Sequence, residues 1–257
     1  MKHILIFGLT LILFSANSCK EHDHGPKGSL SITFKAVYEN DPLVVFTDYL
    51  TPDADKLQFH VFNFFISDLE IVKENDEVIR LKDVEFIDFN GNTDLNKASA
   101  GIKIELNDVA IGNYKAIRFG IGIEPGKNAK EPGDFPSDPY LGHPGNYWTA
   151  WNSYIFSRLE GRIDTLANAA GGDVSYLYHT GVDGMYQSRS FTKTFEISSN
   201  SNSEIVFNIN AKDIFYKSGA EINISAANVS HSGAVGTPAY NLARQTIINI
   251  ADAISVQ

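Results

Sequence analysis

The chain has 257 residues, of which 43% are hydrophobic and 20% are charged, a composition typical of a folded globular protein rather than a disordered or fibrous one. Its formal net charge of −10 argues against nucleic acid or an anionic membrane surface as a partner, because phosphate binding requires a basic surface. The single cysteine excludes an intrachain disulfide and any zinc site built on paired thiolates.

The first residues predict export rather than folding. Lys2 precedes an apolar run over residues 4–14, which is too short to cross a bilayer as a helix but fits the hydrophobic part of a signal peptide. Small residues then lead to Cys19, an arrangement that resembles a bacterial lipoprotein signal, in which cleavage leaves a lipidated cysteine as the first residue. An ordinary signal peptide that is cut nearby is the alternative.

This pattern divides the chain into three parts. We predict a lipoprotein signal peptide over residues 1–18, the lipidated cysteine and a polar tether over residues 19–28, and one domain over residues 29–257. We therefore expect a lipoprotein anchored to the outer membrane of a bacterial cell envelope, either facing the periplasm or exposed at the surface.

The domain begins with patterns typical of β-strands. Residues 30–38 alternate apolar and polar side chains, and residues 57–66 are dense in phenylalanine, as in a central strand buried on both faces. Residues 69–73 and 78–81 flank a polar turn and predict a hairpin. Further strands are predicted over residues 84–89, 101–106, 113–123, 154–160, 174–179, 191–197 and 204–209.

Residues 124–147 interrupt the strand pattern. They hold five of the nine prolines, which remove donors from a β-ladder, so this stretch is either a long ordered loop or a disordered one. A loop of this length within a compact domain is more often functional than incidental.

The end of the chain predicts a helix. Thr237 can cap it and Pro238 suits its first position. One apolar stripe follows, formed by Leu242, Thr246, Ile247, Ile250, Ala251 and Ile254. The predicted fold is all-β, an antiparallel β-sandwich with a long Pro/Gly loop and one C-terminal helix.

The end of the Pro/Gly loop and the residues after it hold the strongest candidates for a functional site. Trp148 and Trp151 are the only tryptophans, and with Tyr147 and Tyr154 they could form a rigid pocket wall. His143 at the end of the loop could converge with His179 at the end of a strand, and imidazole is the commonest metal ligand in proteins. Structural roles for these aromatic and histidine residues stay open at this point.

Two motifs in this region carry a family resemblance. The first is Tyr147-Trp148-x-x-Trp151-Asn152-x-Tyr154-Ile155-Phe156-x-x-Leu159-Glu160-Gly161, and the second is His179-Thr180-Gly181. Both are similar to the signature of MbnP-like proteins. Residues 63–69 and 112–123 resemble the N-terminal and mid-chain strand motifs of that family, and the C-terminal helix is similar in position.

The resemblance implies a β-sandwich of the bacterial envelope that is linked to copper binding. Relatives are associated with a copper site formed by histidine and an oxidised tryptophan, kynurenine, and with a partner di-haem peroxidase that performs the oxidation. Trp148 or Trp151 would be the modified residue here. We expect His143 and His179 as metal ligands, with His231 as a third.

Two positions depart from the copper-handling members. Those proteins carry histidine where this chain has Ser67, and an Asn-His pair where it has Asn128 and Ala129. The resemblance therefore implies the fold more strongly than the metal chemistry.

The leading prediction is a non-enzymatic, membrane-anchored binding protein, with copper as the implied ligand. One alternative is an adhesion module that binds glycans or proteins, which predicts exposed, coplanar tryptophan rings. Another is a hydrolase that uses the loop carboxylates Glu124, Glu131, Asp134 and Asp138, which predicts a pair of them about 5–10 Å apart in a cleft.

Overall fold

A computed structural model describes residues 25–165, 173–199, 201–231 and 234–257. The predicted signal peptide, Cys19 and most of the tether lie outside these residues. Within them, no helix is both long and apolar enough to span a membrane.

The described residues form fourteen strands and four α-helices. The strands are β1 (Lys27–Tyr38), β2 (Asp41–Pro42), β3 (Tyr49–Leu50), β4 (Lys56–Lys73), β5 (Val78–Asp88), β6 (Ile102–Ala110), β7 (Gly112–Ile121), β8 (Tyr147–Trp148), β9 (Ser153–Asp164), β10 (Asp173–Gly181), β11 (Gln187–Ile197), β12 (Asn202–Asn210), β13 (Val229–His231) and β14 (Ile254–Val256). The helices are α1 (Leu95–Ala100), α2 (Pro125–Asn128), α3 (Ala211–Tyr216) and α4 (Pro238–Asp252).

The strands form two facing sheets. The smaller sheet has the order β14-β12-β1-β2, with β6 also paired to β1. The larger sheet has the order β11-β7-β4-β9-β10-β13, and β3 and β5 pair with β4 while β8 pairs with β9. The predicted sandwich is confirmed.

Two strand pairs differ from the antiparallel prediction. The pairs β1–β12 and β10–β13 are parallel. Neither pair is joined by a short turn, so no hairpin imposes the antiparallel direction on them. Three short helices, α1 to α3, accompany the predicted C-terminal helix.

The strand β4 joins two segments that the sequence pattern separates at residues 67–68. Its pairing registers with β5 and β7 shift close to this point, and Asp68 has a φ of 55°. A β-bulge of this kind disturbs the alternation of side chains while the strand continues.

The core lies between the sheets and is rich in phenylalanine. Phe34 and Phe207 of the smaller sheet contact Phe119 of the larger one, with ring centroids 5.6 and 5.2 Å apart. The helix α4 closes one side, where it packs against α3, β10 and β13. Its buried residues include Tyr240, Ala243, Ile247, Ile250 and Ala251.

The ends of α4 follow local chemistry. Thr237 accepts a hydrogen bond from the Tyr240 amide, and Pro238 is the first helical residue, as predicted. Ile254, which belongs to the predicted apolar stripe, lies beyond the helix in β14.

The Pro/Gly loop is ordered. It contains α2 and the 3₁₀ turns Pro132–Asp134 and Pro144–Asn146. Its Leu141 is buried, and the carbonyl of Leu141 accepts a hydrogen bond of 2.7 Å from the Tyr154 hydroxyl. The loop is thereby fixed to β9, beside the residues described next.

Candidate functional site

A row of polar residues crosses the larger sheet. His179 of β10 lies directly opposite Arg158 of β9 on one side and His231 of β13 on the other. Arg158 in turn lies opposite Asn63 of β4. Directly opposed residues share one face of a sheet, so these side chains form a continuous polar line.

His179 and His231 stack on each other. Their ring centroids are 4.6 Å apart and their planes differ by 14°. His179 is buried, with 7% of its surface exposed, whereas His231 is exposed at the edge of the sheet. Partial loss of solvent around its ring is the largest cause that lowers the pKa of His231, and the neighbouring His179 lowers it further. Both effects favour the neutral imidazole, which is the form that binds metal ions.

Glu160 holds the ring of His179. The Nε2 atom of His179 lies 2.7 Å from Oε1 of Glu160, and this hydrogen bond is the largest cause that lowers the pKa of the glutamate. An ionised carboxylate can only accept, so Nε2 carries a proton, and in the neutral imidazole Nδ1 then presents a lone pair. Among the described residues Nδ1 is buried and has no hydrogen-bond partner.

Trp148 covers the imidazoles, and Trp151 stacks on Trp148. Trp148 ends β8, and Trp151 lies in the following 3₁₀ turn Thr149–Trp151. Their rings stack with centroids 5.1 Å apart and an angle of 19°. Trp148 meets His231 at 5.1 Å and His179 at 6.1 Å, both edge to face. The indoles are half-buried and stacked rather than laid side by side, so they do not form the coplanar platform that a glycan module predicts.

The two predicted pocket tyrosines have structural partners. Tyr147 and Tyr154 meet edge to face at 5.2 Å, and Tyr154 is fully buried. Burial raises the pKa of both phenols, so both stay protonated. They fasten the loop and β8 to β9.

His143 is placed differently from the other two histidines. It is exposed at the start of the turn Pro144–Asn146, where its Nδ1 accepts a hydrogen bond of 3.0 Å from the Gly145 amide. In the described part of the chain it takes no part in the ring contacts that join His179, His231 and Trp148. The structure therefore brings together two of the three predicted ligands.

The departures from the copper-handling members are also visible. Ser67 is buried, and its hydroxyl donates to the carbonyl of Gly122 at 2.7 Å. Ala129 follows α2 and is exposed. The described residues contain no group of three or more His, Cys, Asp or Glu arranged to hold a metal ion.

Glu160 is a site residue that sequence reasoning did not assign, although it lies within the tryptophan motif. It is two residues from Arg158 along β9, so both side chains point to the same face. Its approach to His179 depends on the register between β9 and β10, which the sequence does not reveal.

The loop carboxylates structure the loop. Glu124 accepts hydrogen bonds from the amides of Gly126 and Lys127, at 2.9 and 3.1 Å. Asp138 accepts from the amides of Tyr140 and Leu141, each at 2.8 Å. Such local capping explains acidic residues in a Pro/Gly loop without a catalytic role.

Comparisons with known proteins agree on one family. A family model described as MbnP matches residues 27–233, which is most of the chain. Among solved structures, MbnP from Methylosinus trichosporium is similar with a TM-score of 0.50 and 14% identity, over 83% of this chain and 87% of that chain. At this identity the likeness concerns the fold. A comparison with curated proteins finds no match. Because the family model spans all of the larger sheet and the imidazole and indole cluster, the chain belongs to the MbnP family.

Proposed function

We propose that this protein binds a copper ion through the imidazoles of His179 and His231. The observation that carries the proposal is the Glu160–His179 hydrogen bond, together with a buried Nδ1 of His179 that has no hydrogen-bond partner in the described part of the chain and lies beside a second imidazole. Metal-binding histidines commonly donate their other ring N–H to a carboxylate, which fixes the tautomer and the ring orientation.

The donor set favours copper. Imidazole binds copper, zinc, nickel and iron, and among divalent ions of the first transition row copper binds most tightly to such sites. The only cysteine, Cys19, precedes the predicted domain and is proposed below as the lipid anchor, so we expect no free thiolate to compete for the ion. Membership of the MbnP family supports the same metal.

One rearrangement is required for both rings to share an ion. Ligand lone pairs lie in the plane of an imidazole, so two rings inclined by 14° and stacked at 4.6 Å do not aim at one point. His231 is exposed on the short edge strand β13, whereas Glu160 holds His179. We therefore propose that His231 rotates to meet the ion.

Copper titration tests this proposal. Cu(I) under anaerobic conditions and Cu(II) in air are each titrated against the full chain, in a background where His3→Ala, Cys19→Ser, His22→Ala and His24→Ala remove the adventitious ligands that precede the domain. We expect one bound equivalent, lost in His179→Ala and in His231→Ala. His143→Ala is the matched control and should bind as the parent does. Weak binding that is indifferent to His179→Ala would refute the site, provided that thermal unfolding shows each variant to be folded.

We also propose a lipid anchor on Cys19 and a location in the bacterial envelope. The support is the order of Lys2, the apolar run over residues 4–14 and the cysteine. Metabolic labelling with a fatty acid should mark the wild-type chain and not Cys19→Ser. A labelled Cys19→Ser protein, or a wild-type protein without label, would contradict the anchor.

The family resemblance further supports a di-haem peroxidase as a partner. Trp148 is the indole that contacts both imidazoles, so we propose it, rather than Trp151, as the residue that such a partner oxidises to kynurenine. Peptide mass spectrometry of the protein isolated from its native host would locate the modified residue. A modification confined to Trp151 would contradict the assignment.

A further inference from the structure

A cavity lies on the side of the stacked tryptophans formed by Trp151, away from the imidazoles. It has a volume of about 350 Å³ and is formed by the end of α2, the tryptophan turn, residues 182–184 and the first turn of α4. This volume is at the lower end of the range for small-molecule sites. Among the lining residues are Trp151, Tyr240, Asp183, Val182 and Val235.

The lining combines aromatic rings with one carboxylate. Oδ1 of the exposed Asp183 accepts a hydrogen bond of 2.8 Å from the side-chain amide of Asn128, and no other described residue donates to its carboxylate. Asp183 forms no ion pair with any residue in the described part of the chain, and no lysine or arginine is among the described residues that line the cavity. Aromatic rings beside a carboxylate favour organic ammonium ions, because the ring faces are electron-rich and the carboxylate supplies the opposite charge.

The wall of the cavity is preorganised. The buried Oδ1 of Asn128 accepts hydrogen bonds from the Ser153 hydroxyl at 3.0 Å and from the Tyr154 amide at 2.9 Å. The Ser153 oxygen in turn accepts from the amide of Val182 at 2.9 Å. The exposed Asp183 is therefore held at the end of a chain of hydrogen bonds that begins at β9, is buried at Asn128, Ser153 and Tyr154, and is partly buried where it reaches Asp183.

Backbone strain is concentrated at the same place. Val182 has a φ of 67°, which is a strained conformation for a β-branched residue, and Asn152 has a φ of 47°. Both residues line the cavity. Strained residues cluster at ligand sites, where the surrounding structure holds them in place.

We propose that this cavity binds a small organic ammonium cation, with Trp151 and Tyr240 against its alkyl groups and Asp183 opposite its charge. The site is separate from the copper site, because Trp148 and not Trp151 contacts the imidazoles. The negative net charge of the chain favours a cationic ligand in general but does not select this cavity.

Another cavity, which is lined by three carboxylates, provides a control for attraction by charge alone. It also has a volume of about 350 Å³, and its lining includes Asp53, Asp55, Glu221 and Tyr216 but no tryptophan. A cation attracted by charge alone would prefer this cavity, which has more carboxylates. A cation selected by an indole and a carboxylate together would prefer the cavity at Trp151.

The test uses choline as the probe and 3,3-dimethylbutan-1-ol as its neutral isostere, titrated against the full chain. Calorimetry follows wild type and the variants, and fluorescence follows Trp148→Phe, in which Trp151 is the sole indole. We expect saturable choline binding, absent with the alcohol. Asp183→Asn keeps the acceptor for Asn128 but should weaken choline about tenfold.

Three further variants distinguish binding at Asp183 from binding at the other acidic cavity or at the proposed copper site. Ala129→Lys, at an exposed position of the lining, should abolish choline binding, because its ammonium group competes for Asp183. Asp53→Asn and His179→Ala should bind choline as wild type does. Equal binding of the alcohol, unchanged affinity in both Asp183→Asn and Ala129→Lys, or a loss in Asp53→Asn would each overturn the proposal. None of these outcomes bears on copper binding, which His179→Ala tests by itself.

Discussion

The pair formed by Glu160 and His179 shows how two ordinary residues become a specialised site. In water each side chain would be solvated and neither would orient the other. On the sheet the carboxylate accepts a hydrogen bond from the Nε2–H group, and no described residue partners the buried Nδ1 on the opposite side of the ring. A buried unsatisfied nitrogen costs free energy, so a ligand that engages it binds with an advantage. His231 and Trp148 enclose the same position.

Removal of the carboxylate should weaken copper binding without removing a ligand. We expect Glu160→Ala to lower the affinity about 10- to 100-fold, because the ring of His179 loses its fixed tautomer and orientation. Glu160→Gln should have a smaller effect, since the amide oxygen still accepts from Nε2. Glu105→Ala, at an exposed position of β6, is the control. Competition with a copper chelator measures the affinities, and equal affinity of wild type and Glu160→Ala would contradict the role.

The pH dependence of stability follows from the same groups. The pKa of Glu160 is lowered, first by the hydrogen bond from His179, and the pKa of His231 is lowered, first by burial. For both groups the unfolded chain binds more protons than the folded chain, so stability rises with pH. The contribution of His231 is complete above its ordinary pKa of 6.5 and is lost as the pH falls towards its folded pKa. The contribution of Glu160 is lost below 4.5.

Denaturant unfolding from about pH 4 to pH 8 tests this sign. We expect the free energy of unfolding to increase up to about pH 6.5 and then to level off, with the step near neutral pH reduced in His231→Asn. Copper affinity should also fall as the pH is lowered, because protons compete with copper for the imidazoles. Stability that falls as the pH rises from about 5 to 7 would contradict the assignment.

At the scale of elements, β13 depends on α4. The strand has three residues and, among the described residues, pairs with β10 alone, so its own ladder is short. The helix packs against both strands, and the Ser230 hydroxyl donates to the carbonyl of Ala239 at 3.2 Å. Because β13 carries His231, the position of this imidazole is set by a helix that contributes no proposed copper ligand.

The cap of α4 gives a prediction for this element. Thr237→Ala removes the side-chain acceptor for the Tyr240 amide and should lower the free energy of unfolding by about 1 kcal/mol. Thr237→Ser keeps the hydroxyl and should cost only a few tenths of that amount. Chemical denaturation compares the two variants. Equal losses in both would mean that the methyl group, and not the cap, is responsible.

At the scale of the molecule, the sandwich extends beyond the family match. The match ends at residue 233, whereas α4 and β14 follow it. The helix buries Ile247 and Ile250 completely, and β14 pairs with β12 at the edge of the smaller sheet. The matched segment therefore lacks part of the core of this chain.

A chain truncated after residue 233 should accordingly lose cooperative unfolding. The exposed apolar surface of β10 and α3 would have no cover, and β13 would lose its support. Thermal unfolding followed by near-ultraviolet circular dichroism measures the effect, with a chain truncated after Asp252 as a milder comparison. A sharp transition at the wild-type temperature in the shorter chain would show that α4 is dispensable.

Much of the fold could be predicted from the local pattern of residues. Alternation marks β1 and β7, and Thr237-Pro238 marks the start of α4, because these signals depend only on neighbours along the chain. The tryptophan motif and the motif at His179 also pointed to the correct family. The bulge at Asp68 and the parallel pairs β1–β12 and β10–β13 could not be predicted from the sequence, since each depends on contacts between distant segments.

The site depends on register, which is a property of paired strands rather than of either strand alone. Residue type alone indicated His179, His231, Trp148 and Trp151 as candidates for a metal site. It indicated His143 equally. Pairing of β9, β10 and β13 places Glu160, His179 and His231 together, and a shift by one residue would turn each side chain to the opposite face. The loop instead uses His143 to accept a backbone hydrogen bond. Sequence therefore identified the donors, and the packing of the strands selected which of them meet.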